Sequence, residues 1–123
     1  MMALSYCRHP QEDALPEQFF EQPATEDIAL EEIMHALGDP VRLRMVAVLA
    51  DGKYHPCNVE EFRVDLHKST LTHHFKVLRQ AGVTQTRIEG RNHSVRLRRT
   101  DLESRFPGLL RSLTRALTTN LSA

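Results

Sequence analysis

The sequence predicts a single, mainly α-helical domain carrying one β-hairpin, and three observations predict it. Apolar residues recur at helical spacing within residues 26–37, 41–49, 68–81 and 109–121. Gly38, Gly52 and Gly82 close the first three of these stretches, while Pro40 opens the second. Residues 83–98, VTQTRIEGRNHSVRLR, break the pattern with two β-prone runs about the turn signal Glu89-Gly90-Arg91-Asn92.

The elements follow in chain order. Residues 1–24, with Pro10, Pro16 and Pro23 among many polar residues, read as a flexible arm, and residues 25–123 as the domain. Thr25 is placed to cap a helix over about 26–37 that presents Ile28, Ile33 and Leu37 and stops at Gly38. Asp39-Pro40 supplies a cap and a first-turn proline for a second helix, ended by Gly52. A short helix near 58–64 leads to another over 68–81, and two helices joined by a tight turn form the helix-turn-helix pattern. After the hairpin, Thr100 and Glu103 fit a capping box, and Pro107 marks a fresh start. Leu109, Leu110, Leu113, Leu117 and Leu121 then give a last helix one apolar stripe. Such a stripe serves either the core or a dimer seam. Leu110, Leu113 and Leu117 are expected to do both, across a two-fold axis.

The chain of 123 residues, 41% apolar, is long enough for one core and short for two. No stretch approaches the roughly 18 apolar residues that suit a membrane, and the first ten residues lack the apolar run of an export signal. A soluble cytoplasmic protein is expected, with Cys7 and Cys57 as free thiols rather than a disulfide framework. The zero net charge hides an asymmetry. Nine acids against Arg8 give residues 1–40 a net −8, and the remainder carries +8. A basic body of this kind is an electrostatic footprint for nucleic acid, although a solvated basic face would look the same.

KSTLTHHFKVLRQAG, residues 68–82, carries the chemistry. At about 100° per residue, Leu71, Phe75 and Leu78 share one stripe, and Ser69, Thr72, His73, Lys76 and Gln80 share the opposite arc. His73 and His74 therefore point different ways, and an adjacent pair is a poor chelate, because helical metal ligands sit three or four residues apart. His74 falls at the stripe's margin and reads as a packed, hydrogen-bonded residue. His73 stands in a row of side chains able to meet base edges and phosphates.

LGDPVRLRMVAVL (37–49), HKSTLTHHFKVLRQAGV (67–83) and RIEGRNHSVRL (87–97), in this order, resemble the ArsR family of winged-helix repressors, over roughly residues 28–100. The resemblance implies a dimeric winged helix-turn-helix. Its second motif helix would enter the major groove, and its hairpin wing would touch flanking DNA. DNA contact is then carried onto Ser69, Thr70, Thr72, His73 and Lys76, with Arg91 at the wing tip and Lys68 and Gln80 reaching phosphate. The implied partners are double-stranded DNA bearing an inverted repeat and a second copy of the chain.

The family's metal sensors carry a Cys-Val-Cys before the motif's first helix, or an Asp-x-His pair answered on the last helix. Here no histidine follows His93, so a zinc site on the last helix is not expected. Cys7-Arg8-His9 and His55-Pro56-Cys57 do repeat one spacing, and two sulfurs with two nitrogens would suit zinc, while thiolates suit cadmium or arsenite. Cys7, His9, His55 and Cys57 are thus candidate ligands of an effector site. Inert thiols, a thiol-redox switch, an organic ligand at the dimer seam and a regulator without ligand stay open beside it. A hydrolase is disfavoured by the absence of a nucleophile elbow, a phosphate-binding glycine loop or a metalloprotease pattern. A protein-binding adaptor would account for the leucines but not for the polar arc, basic body and arginine-bearing hairpin together.

Overall fold

The computed structural model describes residues 18–122. Its elements are β1 (Gln18–Phe19), α1 (Leu30–Leu37), α2 (Pro40–Val48), β2 (His55–Pro56), α3 (Val59–Phe62), α4 (Lys68–Gln80), β3 (Thr84–Glu89), β4 (Asn92–Leu97), α5 (Arg99–Arg105) and α6 (Leu109–Ser122). No helix among these residues is long and apolar enough to cross a membrane.

Local chemistry accounts for most boundaries. Asp39 caps α2 by accepting the Arg42 N–H at 3.0 Å, with Pro40 in the first turn. Asn58 does the same for α3 through Glu61 N–H at 2.7 Å. At the end of α4, Gly82 has φ +88°, its N–H donates to the Arg79 carbonyl at 3.1 Å, and Val83 N–H donates to the Leu78 carbonyl at 3.0 Å. Those two bonds form the left-handed helix ending that glycine permits. A side chain at Gly82 would also strike Ile28, whose Cγ1 lies 2.7 Å from the position of an added Cβ.

Two expected caps are not used. Thr25–Asp27 forms a single 3₁₀ turn, Ile28 is extended and buried, and α1 begins only at Leu30. The Thr25 hydroxyl instead donates to Asp101 at 2.8 Å. α5 begins at Arg99, behind Arg98 and without a side-chain cap. Arg98 is 5% exposed; its backbone N–H donates to Val83, and its guanidinium donates to Asp101 and to the Pro23 carbonyl. That anchorage sets the turn, so Thr100 is exposed and Glu103 reaches forward to Gly108 N–H at 3.4 Å.

β3 and β4 pair in the expected register, from Thr84 opposite Leu97 to Glu89 opposite Asn92. Gly90 alone of the two turn residues has positive φ, which fits a type II′ connection and the right-handed twist of the strands. Two further short strands complete an antiparallel sheet of order β1-β3-β4-β2. β2 joins through His55 opposite Val95, and β1 through Gln18 opposite Ile88. From Gln18 onward, then, the segment read as a loose arm is fastened to the wing.

One core runs through the fold, from Ile33 of α1 and Met45 of α2 through Phe62, Leu71, Phe75 and Leu78 to Val95 of the wing. Leu110 and Leu117 of α6 belong to it at 8% and 7% exposure, with Leu113 only half-buried.

Candidate nucleic-acid interface

α4 turns Leu71, Phe75 and Leu78 into the core, and this fixes what its other face presents. Lys68, Ser69, Thr70, Thr72, His73, Lys76 and Gln80 are all exposed, as is Arg91 at the hairpin tip. Each residue expected to meet DNA therefore lies on open surface. Thr72 donates its hydroxyl to the Lys68 carbonyl at 2.9 Å. Its oxygen keeps accepting capacity, and its methyl is of a kind suited to a thymine methyl. His74, by contrast, is half-buried and takes a hydrogen bond from Arg42 at its Nδ1, 3.0 Å away. Desolvation lowers its pKa, and because Arg42 can only donate, Nδ1 is the acceptor and the ring proton sits on Nε2.

The wing also carries a half-buried basic cluster that was not expected from the sequence, in which Arg87 is paired with Glu89 at 3.5 Å. Tyr54 lies beneath two guanidinium groups, Arg87 at 3.8 Å and Arg96 at 4.6 Å from its ring centroid, and Gln85 donates to its hydroxyl at 2.7 Å. Arg87 and Gln85 on β3, and Arg96 on β4, share one face through strand alternation. That alternation was the available signal; the placement of Tyr54 beneath the arginines was not.

The candidate effector ligands fare differently. Cys7 and His9 lie outside the described residues. His55 uses both ring nitrogens, Nδ1 on Glu61 and Nε2 on Asp51 at 3.0 Å, so neither is free for a metal. Burial pushes the Cys57 thiol up to about 12, well away from the thiolate that metals and oxidants attack. Among the described residues, no group of three or more His, Cys, Asp or Glu side chains could hold a metal ion.

Asp51, His55 and Glu61 instead clasp the turn that follows α2, strand β2 and α3 together. Desolvation opposes the His55 charge, but the hydrogen bonds and charges of Asp51 and Glu61 outweigh it and raise the pKa. A raised histidine pKa contributes stability that is fully present below the ordinary value of about 6.5 and is lost as pH rises through the folded value. The melting temperature of the parent should therefore fall more steeply than that of a His55→Gln variant as pH rises from about 6 to about 9. Parallel curves for the two proteins would show that the clasp carries no charge-dependent stability.

Comparison with known sequences and structures gives consistent findings. A family model described as Bacterial regulatory protein, arsR family, matches residues 39–85, from the Asp39 cap through α4 to the start of β3. The chain is 33% identical over 96 residues to the HTH-type transcriptional regulator YceK of Bacillus subtilis (strain 168), covering 77% of this chain and 96% of that protein. It is 35% identical over 60 residues to the HTH-type transcriptional regulator MJ1325 of Methanocaldococcus jannaschii, covering 48% of this chain and 66% of that one. Among solved structures, M. tuberculosis Rv0081 matches with a TM-score of 0.51 and 24% identity, over 74% of this chain and 91% of that chain. That last likeness concerns the fold alone.

Proposed function

The chain belongs to the ArsR family of bacterial helix-turn-helix regulators, and on that premise we propose that it is a homodimeric repressor that reads an inverted-repeat operator with α4 and flanks it with the wing. One observation carries the reading. The polar arc of α4, from Lys68 to Gln80, is fully open, and among the described residues its side-chain hydrogen bonding to the protein is confined to the local bond from Thr72. A row of donors and acceptors with no internal use is what base-edge and phosphate contacts require. Regulation of transcription without enzymatic chemistry follows from the family.

In this reading the second copy packs against α6. Leu110 and Leu117 serve the chain's own core, which leaves Leu113 and the exposed positions beside it for a partner. Leu30 and Met34, one turn apart on α1 and 44% and 47% exposed, offer further apolar surface. Operator release by metal through Cys57 and His55 would require a thiol held protonated to ionise and an imidazole to leave two carboxylates. An organic ligand, or no ligand, asks less of this structure.

Selection of bound sequences from a random duplex pool tests the reading, and it should return an inverted repeat with half-sites about one helical turn apart. Leu113→Arg should convert a dimer to a monomer in light scattering and lower operator affinity, with a modest fall in melting temperature, because Leu113 also packs half-buried against the core. A parent protein that is monomeric and binds one half-site at full affinity would refute the dimer.

A further inference from the structure

On the flank of the reading face of α4, Arg79 is half-buried against the strap formed by residues 20–23. Its guanidinium carbon lies 4.7 Å from the Phe20 ring centroid. That ring meets His93 of β4 edge-on at 4.9 Å, and the Phe20 backbone N–H donates to Thr86 of β3 at 3.1 Å. Phe20 is thus fastened to the wing and in turn holds Arg79. Among the described residues no carboxylate pairs with Arg79. Burial presses on its charge and lowers its pKa without removing the proton. A cation partly stripped of water and given no counter-charge is costly unless something else supplies one.

The space beside it suits that role. A cleft of about 580 Å³ separates the strap from Lys76, Arg79 and Gln80 of α4. The carbonyls of Val77, Leu78 and Arg79 are already taken up by Ala81, Gly82 and Val83 N–H groups, so the negative end of the helix is largely covered. Glu21 on the strap is the opposing charge at the rim, and it is exposed.

We propose that this cleft is a phosphate seat, in which Arg79, held on the Phe20 ring and assisted by Lys76 and Gln80, grips a backbone phosphate of bound DNA. This rests on the DNA-binding reading and names a contact that reading does not include. A guanidinium laid on an aromatic face keeps its N–H edge for a planar, two-point grip on phosphate oxygens, and Lys76 one turn earlier adds a point charge. A phosphate gripped between the base-reading arc and the wing sets the protein's register on the duplex without reading sequence. Phe20 is a positioning residue: it touches no DNA, but it ties the direction of Arg79 to the position of the wing.

The test uses the full chain and a short mixed-sequence duplex, with affinity measured across a salt series. Arg79→Gln should reduce the slope of log affinity against log salt by about 0.9 per protomer bound. It should weaken selected and mixed-sequence duplexes by the same factor. Phe20→Ala should produce most of the same loss, and the double variant little more, because the two act through one contact. Phe20→Leu, which keeps an apolar side chain without an aromatic face, should fall between parent and Phe20→Ala, while Glu21→Gln should tighten binding. An Arg79→Gln protein with the parent's salt slope would overturn the seat. Saturable binding of inorganic pyrophosphate that Arg79→Gln abolishes, together with an unchanged salt slope for duplex DNA, would overturn it in favour of a free phosphate compound as the occupant. If the parent itself binds no duplex, the functional reading fails, a result distinct from either.

Discussion

A variant carrying Thr72→Ala and His73→Ala together should lose most of its preference for the operator over mixed-sequence DNA while folding as the parent does. Both side chains are exposed on α4, so neither supports the core, and alanine is the better helix former at each position. The melting temperature should accordingly stay level or rise slightly. A direct bond to a base edge is worth about 1–3 kcal/mol of discrimination, so removing one lowers the preference roughly 5- to 150-fold. Binding to mixed-sequence DNA should change little, because Lys68, Lys76 and Arg91 remain to meet phosphates. Affinities of parent and variant for the selected operator and for a scrambled duplex measure this. An unchanged ratio would remove Thr72 and His73 from the reading face.

Phe62→Ala should be the most damaging single core change, costing about 3–5 kcal/mol. Phe62 is 0% exposed and stacks edge-on against Phe75 of α4 with ring centroids 5.3 Å apart. It is also the buried anchor of α3, a helix of only four residues that cannot hold its own shape in water. Against a total stability of about 5–15 kcal/mol, such a loss leaves the motif marginal. Urea unfolding should show a lower midpoint, and operator binding should weaken with it as α4 loses its support. A loss below about 1 kcal/mol would mean that the site collapses around the smaller side chain.

The parts of the fold legible in the sequence are those fixed by neighbours in the chain. Asp39-Pro40 caps α2 whatever lies around it, Gly82 supplies the φ that ends α4, and the Gly90 turn sets the hairpin register. The split between His73 and His74 is likewise local, since periodicity alone places one outside and one at the core margin. What escaped is what distant residues decide. Thr25 and Thr100 have good capping chemistry, yet Asp101 claims the Thr25 hydroxyl and buried Arg98 fixes the start of α5. β1 and β2 have two residues each, too few to show any alternation. His55-x-Cys57 has ligand spacing, but only the fold brings Asp51 and Glu61 onto both nitrogens of His55. The stacking of Arg79 on Phe20 joins residues far apart in the chain, and no local pattern announces it.

The most direct measurement of the central claim is a fluorescence titration of the full chain into the selected duplex and a scrambled duplex of equal length, across a salt series. The predicted result is saturable binding of two protomers to the selected duplex. The affinity should fall linearly with salt on logarithmic axes, and the preference over the scrambled duplex should be about a thousandfold or more. Equal affinity for the two duplexes, or no binding to either at low salt, would contradict the assignment of α4 as a DNA-reading helix.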